Sequence, residues 1–110
     1  MNELTEERIK EIVKDTVLEM RRNGLLRRAD DVAYSEISSQ LFEYYKDPDA
    51  YPELQPILEI IKGDMYFDIL PFYYRERYTI DVIAEVFGCE ISTVTRNKKR
   101  LCLKVYNALH

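Results

Sequence analysis

A single glycine, Gly88, constrains the last third of the chain. It separates Thr79-Ile80-Asp81-Val82-Ile83-Ala84-Glu85-Val86-Phe87 from Ile91-Ser92-Thr93-Val94-Thr95-Arg96-Asn97-Lys98-Lys99-Arg100-Leu101. Both stretches repeat apolar residues at three- and four-residue spacing, as helices with one buried side do. Counted from Ile80, Ala84 is fifth, Gly88 ninth and Val94 fifteenth. That spacing suits a helix-turn-helix. Two helices that cross closely need a small residue where they touch, here Ala84. The chain must then reverse within a few residues, and glycine takes positive φ without a Cβ clash. Val94 would be the apolar knob that anchors the second helix, and Ile83 and Phe87 complete the inner face of the first. Thr79 stands where an N-cap is expected.

The second helix carries most of the chemical information. With 100° per residue and Val94 pointing inward, Leu101, Val105 and Ala108 fall on the inner side. Ser92, Thr95, Arg96 and Lys99 fall on the outer side. Short hydroxyl side chains followed by long cations make the kind of surface that enters a major groove. Arg96 can fork onto a guanine, while Lys99 and Arg100 can reach phosphates. Without such a ligand, the same pattern describes a solvated helix face. Cys102, Leu103 and Tyr106 form another apolar side, away from Val94. The N-terminal helices are expected to cover it, with a second subunit as the alternative.

The stretch from Arg75 to Leu109 resembles the helix-turn-helix of sigma-70 region 4. It is more similar still to the region 4-like regulators of phages and mobile elements, including the ArpU- and RinA-type late-gene regulators. "DVIAEVFGCEISTVTRNKKRL" and the tail "LKVYNAL" carry the likeness, and "ILPFYYRERY" is similar to the short helix that precedes the motif. The resemblance implies a sequence-specific DNA-binding transcription regulator. Its DNA-facing residues would be Ser92, Thr93, Thr95, Arg96, Lys99 and Arg100. It implies double-stranded DNA as partner, with RNA polymerase and a second copy of the chain as further candidates. Two positions depart from the family pattern. Lys98 stands where an apolar residue is usual, and its stem is expected to cover that spot while its amine reaches water. Glu90 replaces the usual Ser before the second helix, so Ser92 is expected to cap instead.

The first 60 residues match no family in this way and are read from periodicity alone. A helix is expected from Thr5 to Asn23, with Ile9, Ile12, Val13, Val17 and Met20 as its stripe and Asn23-Gly24 as its stop. Asp30 to Tyr45 reads as a second helix, with Val32, Ala33, Ile37, Leu41, Tyr44 and Tyr45 inward. Lys46 to Pro52 is the clearest loop. A third helix spans about Pro52 to Lys62, facing inward with Leu54, Ile57, Leu58 and Ile61, and Gly63 ends it. Met65 to Arg77 is the most aromatic stretch. Pro71 inside it predicts a kinked helix or two short ones at the centre of the core. Of the nine Tyr residues, Tyr44, Tyr45, Tyr66, Tyr73 and Tyr74 are read as amphipathic core filler and not as base-stacking platforms, because their neighbours are apolar and not Arg or Lys.

The predicted fold is therefore all-α, with four to five helices and a C-terminal helix-turn-helix. Residues 1–63 form an acidic helical region with a supporting or oligomerising role, and residues 64–110 the DNA-binding region. Charge divides similarly: residues 1–74 sum to −7 and residues 75–110 to +3, for a net −4. That acidic balance favours the rival reading, a helical protein-interaction or assembly module such as a phage DNA-packaging component. Cys89 and Cys102 do not have the spacing of a four-ligand zinc site and are read as small apolar groups. Asp47, Asp49 and Glu53 lack the alternation of a calcium loop. With one His and no Trp, no catalytic constellation emerges, and neither an enzyme nor a cofactor is expected. No apolar run approaches the ~20 residues of a membrane span. No signal-peptide pattern is seen, so a cytoplasmic location is expected.

Overall fold

A computed structural model describes the backbone from Thr16 to His110 and the side chains from Ala29 onward. Five α-helices occur among the described residues, and no strand: α1 (Thr16–Lys46), α2 (Leu54–Ile61), α3 (Ile69–Tyr74), α4 (Ile80–Phe87) and α5 (Ile91–Leu109). A 3₁₀ turn, Pro48–Ala50, follows α1. The fold is all-α over this span. The start expected at Thr5 lies outside the described residues.

The helix stop expected at Asn23-Gly24 is not observed, because α1 runs through both residues. One helical glycine costs only about 1 kcal/mol, and the strong helix formers Leu25, Leu26, Arg27, Arg28 and Ala29 follow it at once. Two expected helices are thus one. The chain divides into two units at Val32/Ala33, inside this helix, and the description that follows concerns residues 33–110.

Within this unit α1 buries Ala33, Ile37, Leu41 and Tyr44, spaced four, four and three apart. Val32, expected inward, is exposed, because it lies about 100° around the helix from Ala33. Asp47 ends the helix and accepts the Asp49 N–H on its carboxylate, which starts the 3₁₀ turn. Helix α2 buries Leu54 and Leu58 and leaves Ile57 and Ile61 half-buried, as its periodicity predicts.

The aromatic stretch resolves into turns followed by the short α3. Asp64 accepts the Tyr66 N–H at 2.9 Å, fixing the first turn. Pro71 sits in the first turn of α3, where its missing N–H leaves no helical bond unmade. Met65, expected in the core, is exposed because it lies on that turn, ahead of the helix.

Two apolar clusters result. In the larger one Ile37, Leu41 and Tyr44 of α1 meet Leu54 and Leu58 of α2, Leu70 and Tyr74 of α3, and Leu101, Cys102 and Val105 of α5. The Cys102 side of the last helix is therefore covered within the chain, by α1 among others. Leu103 and Tyr106 on that side are half-buried, and Ala108, expected inward, is exposed. In the smaller cluster Ile69 of α3 packs with Ile83 and Ala84 of α4 and Val94 of α5, edged by Phe87 and Cys89. The small fifth residue and the fifteenth-position knob thus meet.

The turn between α4 and α5 closes in a specific way. Gly88 takes the left-handed conformation, φ 67° and ψ 37°. Its N–H reaches the Glu85 carbonyl at 3.2 Å, and the Cys89 N–H reaches the Ala84 carbonyl at 3.0 Å. Those two bonds define a Schellman ending, and Cys89 supplies its apolar contact. A Cβ built on Gly88 would meet nothing within 4 Å, so the glycine is required by its backbone angle and not by crowding. Gly88→Ala should therefore destabilise the fold by about 1–2 kcal/mol in urea unfolding, and Gly88→Asn by distinctly less, since Asn tolerates this region. Equal stability of Gly88→Ala and the native chain would contradict that account.

Candidate functional site

Helix α5 begins after Glu90, whose backbone is extended (φ −82°, ψ 156°) and whose side chain makes no capping bond. Its carbonyl accepts the Thr93 N–H at 3.0 Å. Ser92 is the second residue of the helix and does not cap it, contrary to expectation: the chain leaves the extended region at Glu90, two residues earlier. Thr79 precedes α4 as expected, again without a side-chain cap. Its side chain bonds to Asp81 instead and, as the main cause, holds that carboxyl below its usual range.

The expected site residues sit on α5 as follows. Ser92, Thr95 and Arg96 are exposed, and Thr93, Lys99 and Arg100 are half-buried. The Thr95 hydroxyl donates to the Ile91 carbonyl at 3.1 Å. Among the described residues no hydrogen bond or ion pair engages the Arg96 guanidinium.

Arg100 is held by a network. Its two terminal nitrogens donate to the two oxygens of Asp64, each at 2.9 Å. Its Nε donates to the Asn97 side-chain oxygen at 2.9 Å, and Asn97 in turn donates to the Thr93 carbonyl at 2.8 Å. Lys104 stands 3.6 Å from Asp64 as well. A fork-to-fork Arg–carboxylate pair is the strongest geometry available to such groups. Accordingly the Arg100 hydrogen bonds, helped by the Tyr66 N–H and by Lys104, hold the Asp64 carboxyl down at about 2. The network ties the turn before α3 to the middle of α5.

Lys98 corrects another expectation. Its amine is turned onto other side chains and not held out into water: the residue is only 7% exposed. The amine donates to the Tyr34 hydroxyl and lies 4.1 Å from the centre of the Tyr73 ring and 4.9 Å from that of Tyr34. Ring faces attract a cation, so three tyrosines, with Tyr74 at 5.8 Å, replace part of its hydration. Among the described residues no carboxylate pairs with it. Sequence reasoning missed this cage because Tyr34 and the Tyr73-Tyr74 pair lie far from Lys98 along the chain. The available signal was a lysine at an otherwise apolar helical position in a chain rich in tyrosine.

Cys102 is fully buried, and Cys89 is half-buried in the turn. Burial is the main influence that pushes the Cys102 thiol up to about 11. The outer face of α4 differs in character from that of α5. Asp81, Glu85, Val82 and Val86 are exposed there, and Glu90 and Ile91 are exposed at the start of α5.

No family model, curated protein or solved structure matches the chain. Among the described residues no helix is long and apolar enough to cross a membrane.

Two measurements follow from this geometry. Asp64 has its pKa lowered on folding, so its stabilising effect is complete above the ordinary carboxylate range and disappears as pH falls toward 2. Stability should drop by about 1 kcal/mol between pH 5 and pH 2 from this group, a value reduced for solvent screening at Arg100. Asp64→Asn should flatten that part of the pH profile of urea unfolding. For Lys98, removing the stem should matter more than removing the charge. Lys98→Ala is expected to cost about 2 kcal/mol or more through the lost apolar volume. Lys98→Met should unfold at the native urea midpoint or above it. Equal losses in the two variants would show that the caged charge itself stabilises the fold.

Proposed function

We propose that α4, the Gly88 turn and α5 form a DNA-binding helix-turn-helix of the sigma-70 region 4 kind, and that the chain is a sequence-specific transcription regulator of phage or mobile-element type. The observation that carries the reading is the outer face of α5. Ser92, Thr95 and Arg96 lie exposed on the first turns of a helix whose opposite side is anchored by buried Val94. A recognition helix offers its N-terminal residues to base edges while flanking cations bind phosphate. Arg96 would read a base, Ser92, Thr93 and Thr95 would contact base edges or phosphates, and Lys99 would hold the backbone. Arg100 stands at the edge of this face with its guanidinium already forked onto Asp64. The mechanism is binding alone, and RNA polymerase as a further partner rests on the resemblance.

The outer face of α4 and the adjoining start of α5 favour a second reading, a helical protein-interaction or assembly module. Exposed carboxylates at Asp81, Glu85 and Glu90 would repel phosphate, and Val82, Val86 and Ile91 beside them suit a protein surface better than a duplex.

Retention of random-sequence duplex at low salt separates the two readings, and selection from a random DNA library then gives the preferred site. Arg96→Ala should cost about 1–3 kcal/mol on the selected site and much less on random duplex. Lys99→Ala should weaken both alike and reduce the salt slope by about one. Failure of the native chain to retain any duplex at low salt favours the interaction module, and native behaviour of both variants overturns the assignment of this face.

A further inference from the structure

Arg96, Arg100 and Lys104 follow one another at four-residue steps along α5. Residues so spaced share one side of a helix, so the three make a row of cations beside the exposed Ser92 and Thr95. The lower member, Arg96, has no partner among the described residues. The upper two converge on one carboxylate. Asp64 takes both Arg100 nitrogens at 2.9 Å and stands 3.6 Å from Lys104. Asp64 is itself well fixed, since its Oδ1 also accepts the Tyr66 N–H and its side chain is only 14% exposed. Arg100 and Lys104 keep 40% and 51% of their side-chain surface, so they remain reachable from solvent. A carboxylate forked by Arg presents the same planar pair of acceptors that a phosphate would offer.

We infer that Asp64 limits the phosphate affinity of the DNA-binding face, occupying Arg100 and Lys104 so that they are withheld from phosphate. The inference rests on the DNA-binding reading and adds a constraint to it. Every cation given to phosphate strengthens binding to all sequences and steepens the salt dependence by about 0.9 per contact. Contacts to base edges gain nothing from that increase. By cutting the row of cations after Arg96, Asp64 lowers the sequence-independent part of the affinity, for every duplex alike. Asp64 acts through Arg100 and Lys104 and touches no DNA, so it is a positioning residue.

The test measures fluorescence anisotropy of random-sequence duplex across a salt series, using the full chain. Asp64→Asn keeps an oxygen for the Tyr66 N–H and removes the charge. It should bind random duplex at least tenfold more tightly than the native chain near 100 mM salt, with a salt slope steeper by one to two contacts. In the native background, Arg100→Gln with Lys104→Gln should leave the slope unchanged. In the Asp64→Asn background the same pair should return it to the native value. Circular dichroism checks the fold of each variant, and the native-background pair tests the inference even if Asp64→Asn does not fold. A native salt slope that falls by one or more in that pair overturns it, as does an Asp64→Asn slope equal to the native one. Binding by Asp64→Asn alone, with none by the native chain at low salt, would overturn the DNA-binding reading and with it the inference. No binding by either chain at low salt would overturn the DNA-binding reading and the inference together, whereas native binding with an unaltered variant slope overturns the inference only.

Discussion

Helix α5 is fastened by two cores at once, and the remaining architecture depends on that. Val94 enters the smaller cluster with Ile69, Ile83 and Ala84, while Leu101, Cys102 and Val105 enter the larger one with α1, α2 and α3. A helix held on one stripe can roll about its axis. One held near its start and along its second half, with Cys102 buried on the flank of the Val94–Leu101–Val105 stripe, has its rotation fixed. The side chains that remain outside, Ser92, Thr95 and Arg96, are thereby presented in one orientation. The Schellman ending at Gly88 sets the other boundary, because it decides where α5 begins relative to α4.

Polar groups add directionality to this apolar frame. Asp64 ties the turn before α3 to Arg100, and Tyr34 of α1 ties to Lys98. Both links join residues distant in sequence, and both end on α5. Apolar contact tolerates small sliding movements, whereas a bidentate ion pair does so much less. The two links therefore register α5 along its axis as well as around it.

Local pattern made much of this fold legible. The stripes of α2, α4 and α5, the inward spacing of Ile37, Leu41 and Tyr44, and the positive φ of Gly88 all follow from period and residue chemistry. Three kinds of feature did not. Asn23-Gly24 was a misleading stop, since a glycine ends a helix only when the residues after it also disfavour helix. Met65 looked like core because hydrophobicity alone does not say that a turn will hold it outward. Asp64 and Lys98 belong to pairings across 36 and 64 residues, which no short window contains. For the candidate site, the exposed character of Ser92, Thr95 and Arg96 was readable, but the engagement of Arg100 by a turn far upstream was not.

The two thiols also differ in a way that makes the molecule self-reporting. Thiol reagents attack the thiolate, and Cys102 is both shut inside the larger core and pushed up to about 11. Cys89 lies half-open beside the left-handed glycine. In the folded chain a maleimide probe is thus directed to the bend between α4 and α5, where an attached dye would sense whatever settles near the exposed start of α5. Labelling at the second thiol would mark global opening, so one chemistry distinguishes occupancy from unfolding without any engineered cysteine.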